Sequence, residues 1–165
     1  MDVLKLSTDW AKAEIVSARL VLLFGVLIFL VAIGFWQFGR TGTARAFIIP
    51  LFIAGILVVA VSAGLYLANK PRLIQFRDEY QKDQQAFMQK ELARTFKSQQ
   101  DFKMVFKALP AIIIVAALII VFVPGSIWRA SATVTILLMA FLMLVDSQTE
   151  ARNNAYRQEL LNVKP

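Results

Sequence analysis

Four stretches of this chain carry no charged side chain: residues 20–39, 46–69, 108–128 and 130–145. At 1.5 Å per helical residue the first reaches about 30 Å, the thickness of a bilayer's hydrocarbon core. The fourth reaches only about 24 Å, so Arg129 is expected to snorkel and lengthen it. The 165 residues are 58% hydrophobic, against about 45–50% for a soluble domain, and the excess sits in these runs. The pattern predicts an all-α, polytopic membrane protein with four transmembrane helices. The first run is too long for a signal-peptide core, and no small-x-small cleavage site follows it.

The runs pair across short turns, giving two transmembrane hairpins at 20–69 and 108–145. A polar segment, 70–107, joins them. An amphipathic lead-in, 1–19, precedes the first hairpin, and a polar tail, 146–165, follows the second. Within the tail, Ser147 and Glu150 have capping-box spacing, which predicts a separate short helix with Arg152 and Arg157 outward. Pro50 and Pro110 fall in the first turns of their spans, where a missing N–H costs least. At an offset of 92 residues Trp36 aligns with Trp128 and Asp9-Trp10 with Asp101-Phe102, a faint internal likeness.

Within 70–107, Leu73, Phe76, Tyr80 and Phe87 share one helical face, which Phe102, Val105 and Phe106 rejoin. Two shapes fit: one long helix on the membrane surface, or a helical hairpin turning near residues 82–85. The second is preferred, because spans two and three must return to neighbouring positions. The segment reads as a displayed basic–aromatic surface. Phe76, Arg77, Tyr80, Phe87, Arg94 and Phe96 are the candidate partner-binding residues, since aromatics and Arg dominate binding hot spots. Gly55, Ala60 and Gly64 are small residues suited to close helix approach, and Ser131 and Thr135 to interhelical hydrogen bonds. Trp10, Trp36, Trp128 and Arg129 are candidate interface anchors.

Lys and Arg are distributed unevenly. The polar segment holds nine, while the two turns on the opposite side hold only Arg40, Arg45 and Arg129. The positive-inside rule then places both termini and the polar segment in the cytoplasm. The net charge of +7 is read as orientation signal and attraction to anionic lipid, not as a nucleic-acid footprint. No Asn-x-Ser/Thr sequon occurs, which fits a bacterial inner membrane.

The chain has neither Cys nor His, which removes thiolate chemistry and the commonest general base and metal ligand. No span carries an ionisable residue near its centre, where a proton relay or ion site would need one. No catalytic residue, metal site or cofactor is expected. Asp146 and Glu150, one turn apart, read as a solvated helix terminus. In outline the chain is similar to the small membrane immunity proteins that protect bacteria from pore-forming toxins, a likeness of architecture that rests on no shared motif. It implies a non-enzymatic membrane protein that binds a partner protein, most concretely a membrane-inserting toxin. The alternative is a homo-oligomeric channel or small transport subunit, with Ser131, Thr133 and Thr135 on a pore wall and Ala60/Gly64 at the subunit seam.

Overall fold

The computed structural model describes residues 2–163. These residues form six α-helices and no strand: α1 Val3–Phe38, α2 Gly42–Ala46, α3 Ile48–Asn69, α4 Arg72–Lys82, α5 Gln84–Phe122 and α6 Ser126–Asn162. Four helical rods are long and apolar enough to cross a membrane: α1, α2 through α4 taken together, α5 and α6. This is consistent with a multi-pass membrane protein, in which each backbone polar group is satisfied within its own helix.

Side-chain caps begin three of the six helices. Asp2 accepts from the Leu4 N–H at 3.0 Å to start α1, and Thr41 accepts from Ala44 to start α2. Pro50 is the third residue of α3, where the N–H has no intrahelical acceptor to lose. Asp83 has extended backbone angles, ends α4, and accepts from Gln85 and Ala86 N–H at 2.9 and 3.0 Å to begin α5. The chain therefore turns inside the polar run 81–85 on an Asx cap, with no Gly or Pro.

Two expected boundaries are absent. Pro110 lies in the interior of α5, which carries the polar segment into the third apolar run as one helix. The apolar part of α6 continues without interruption through 146–150. The capping-box residues there are mid-helix, because nothing before them breaks the backbone hydrogen-bond ladder.

α1 packs along α3 in antiparallel order. Ser62 Oγ donates to the Ala18 carbonyl at 2.8 Å. A Cβ at Gly25 would lie 3.0 Å from Val59, and one at Gly55 would lie 3.0 Å from the Phe29 ring. Ala11, Ala18, Gly25 and Ala32 recur every seven residues on α1 and are all buried; such small residues allow close backbone approach. α6 lies against a second face of α1, where Phe24 and Phe141 stack. In the apolar halves, Val21, Ala54, Val58, Val134 and Leu138 form the core.

The polar halves make their own bundle. The start of α1, all of α4, the start of α5 and the end of α6 enclose Val3, Trp10, Ala11, Phe76, Phe87, Tyr156 and Leu160. Phe87 receives Phe76 and Tyr80 edge-on, with ring centroids 5.5 and 5.7 Å away. Lys90 pairs with Glu79 across the α4–α5 turn.

Candidate functional site

The densest polar chemistry in the chain lies inside this second bundle. Glu91 on α5 is 2% exposed and receives three N–H···O contacts of 2.7–3.1 Å from Arg94. The Tyr156 hydroxyl on α6 lies 2.8 Å from Glu91 and 2.7 Å from Ser7 on α1. The Ser7 hydroxyl spends its one proton on the Val3 carbonyl at 2.8 Å, so the Tyr156 O–H is the donor here, shared between the Glu91 carboxylate and the Ser7 oxygen. Burial, then the charge of Glu91, pushes the Tyr156 phenol above its ordinary range. α1, α5 and α6 thus meet at a single hydrogen-bonded point.

Trp10 lies beside it, stacked on Tyr156 with centroids 5.5 Å apart. The Arg94 guanidinium stands 4.0 Å from the indole and Arg72 5.5 Å from it, both within cation–π range. Arg72 donates to Asn69 at 2.7 Å; burial, and then repulsion from Arg94, lowers its pKa. One turn toward the apolar half, Glu14 is again 2% exposed and takes the Arg152 Nε–H at 2.9 Å. Asn153 donates to the Thr95 carbonyl and Arg157 to the Leu92 carbonyl.

Chemically this is a charge-balanced network, in which the buried Trp10 Nε1 and Asn153 Oδ1 have no hydrogen-bond partner among the described residues. Each buried carboxylate is matched by a guanidinium, a group that does not give up its proton. The phenol is held protonated. Among the described residues no three His, Cys, Asp or Glu side chains gather to hold a metal. The arrangement locks helices together, with no open acid–base pair.

The structure redistributes the residues singled out from sequence. Phe76 and Phe87 are core, 4% and 2% exposed; Tyr80 packs on that core, and Arg94 is engaged with Glu91 and Trp10. Of the six candidate partner-binding residues, Arg77 and Phe96 are exposed, and Phe96 has Arg157 over its ring. The amphipathic face that looked like a displayed surface is the face turned inward. Trp10, placed at the membrane interface by sequence, is a core residue, whereas Trp36, Trp128 and Arg129 are exposed. Arg152 and Arg157 point inward to their partners.

Gly55 lies against the Phe29 ring, but Ala60 and Gly64 are exposed, and nothing lies within 4 Å of a Cβ at Gly64. Ser131 and Thr135 line a groove between α3 and α6 with Ile49, Ile53 and Leu57. Glu14, Glu91 and Thr95 escaped the sequence reading. A signal existed for two of them: Glu91 and Thr95 fall at four-residue steps after Phe87, on the face that Phe102 and Phe106 continue.

No protein-family model, curated protein or solved structure matches this chain.

Proposed function

We propose that this is a non-enzymatic protein of a bacterial inner membrane, with both termini and the polar bundle in the cytoplasm, that acts by binding another protein within the bilayer. The positive charge of the polar segment supports that orientation. The observation that carries the reading is the one-sided packing of α5. Between Ala108 and Phe122 only Ala116 is buried, while Ile114, Val115, Leu118, Val121 and Phe122 are half or more exposed. α1 has neighbours on two faces; the apolar half of α5 has α6 on one. Its exposed Ala108 and Ala111 would let a second helix approach closely.

The concrete form is an immunity or inhibitor protein that captures an inserting toxin helix along α5. Binding through Phe76 and Phe87 would require opening the bundle, so it is not part of the proposal. A photoreactive amino acid at Val115 or Leu118, with Ile56 on α3 as control, tests it in the native membrane. A discrete adduct to a second protein at the α5 positions alone is expected. Lipid adducts at all three positions would overturn it.

Exposed Ala60 and Gly64 support a second reading, a homo-oligomer seamed along α3. It would show as an adduct of twice the chain mass from the α3 position. A channel would additionally need a polar wall, and Ser131 and Thr135 sit among apolar neighbours.

A further inference from the structure

The α1–α6 seam is closed in the core but open along one outer edge. Between Glu14–Arg152 and the Phe24–Phe141 stack lies a groove of about 280 Å³, lined by Ser17, Leu20, Val21, Phe141, Leu144, Val145, Gln148 and Arg152. Beyond the stack a second groove of about 230 Å³ lies between α1 and α6 and reaches Leu51 and Ala54 of α3, with Leu27, Val31 and Leu137 along it. Its walls are apolar. Leu20 and Leu27, seven residues apart on α1, and Leu137 and Leu144, seven apart on α6, are all more than half exposed. They form rims over a floor that includes buried Val21 and Val134.

Polarity is confined to one end. Arg152 commits Nε to Glu14 and Nη2 to Thr149, and its Nη1 group has no partner among the described residues. The Ser17 hydroxyl and Gln148 amide line the same mouth. From Val134 to Arg152 the helix rises about 27 Å. The headgroup and acyl region of one leaflet together span about 20–22 Å. A track with a hydrogen-bonding mouth and apolar walls, long enough to hold the lipid of one leaflet, fits an amphiphile with a single polar end.

We infer that the α1–α6 edge is a binding site for one phospholipid, its phosphate at Arg152, Gln148 and Ser17 and an acyl chain lying between the leucine rims. Because Glu14 already balances the charge of Arg152, the site reads the phosphate through hydrogen bonds. The inference does not depend on α5 binding a partner.

The test is native mass spectrometry of the full chain in mild detergent, titrated with phosphatidylglycerol and with a diacylglycerol of the same tails. One phosphatidylglycerol per chain should bind, at least tenfold more tightly than the diacylglycerol. Leu144→Trp, at an exposed rim, should weaken it at least tenfold with an unchanged melting temperature. Ser17→Ala with Gln148→Leu alters the mouth without touching the Glu14–Arg152 pair and should reduce the preference for phosphate. Equal retention of the two lipids, or equal retention by wild type and the variants, would overturn the site. So would a protein helix cross-linked into the groove in place of lipid.

Discussion

Glu91→Ala is the sharpest probe of the polar bundle. It removes three charge-assisted contacts to Arg94 and the acceptor of the Tyr156 hydroxyl. What it leaves behind matters more: the Arg94 side chain is only 21% exposed and has no other carboxylate partner among the described residues. Breaking a buried pair from one side costs about 3–5 kcal/mol. The residual exposure of Arg94 and its seat over Trp10 argue for the lower end, about 3 kcal/mol. For a chain of 165 residues, each kcal/mol moves the melting temperature by about 2–4 °C, so a fall of about 6–12 °C is expected. Replacing both partners, Glu91→Leu with Arg94→Met, should recover much of the loss, since a matched apolar pair is often near neutral. Thermal unfolding in detergent micelles can be followed by the fluorescence of Trp10 after Trp36 and Trp128 are changed to Phe. A drop below 2 °C for Glu91→Ala, or a double variant as unstable as the two single changes summed, would refute the account.

Three further outcomes follow from the geometry. Gly25→Leu should destabilise by about 1–3 kcal/mol through overpacking against Val58 and Val59, whereas Gly64→Leu, with open space around it, should leave the melting temperature unchanged. Asp83→Ala removes the cap of α5 and should cost about 1 kcal/mol, read as faster hydrogen exchange at Gln85 and Ala86. Folding raises the Tyr156 pKa above the ordinary phenol value of about 10. The folded state then keeps a proton that the unfolded state loses, so stability should fall as pH rises above about 10. Tyr156→Phe should flatten that fall, and identical pH profiles for the two proteins would refute the assignment.

The four apolar runs were legible because charge is costly in hydrocarbon and its absence over such lengths is hard to miss. The turn at Asp83 was legible from local polarity. The inward direction of Phe76 and Phe87 was not. An amphipathic face says that something covers it, and periodicity alone does not distinguish a partner protein from the first turns of α1 and the last turns of α6. Glu14 was hidden for a related reason. A carboxylate among apolar positions looks solvent-facing until its cation is known, and Arg152 is 138 positions away. The continuity of α5 and α6 was obscured by Pro110 and by cap-like residues at 147–150, signals that bend or end a helix only when tertiary packing does not carry it through.

The long separation between partners in the polar bundle also sets an order of events during synthesis. Ser7 and Glu14 leave the ribosome 149 and 138 positions before Tyr156 and Arg152, which complete their network. Until the last turns of α6 have been translated, Glu14 lacks its counter-charge and the cavity around Trp10 lacks a wall. The last turns of α6 therefore act as a latch on the bundle. A nascent chain stopped before residue 152 would hold Glu14 without its counter-charge.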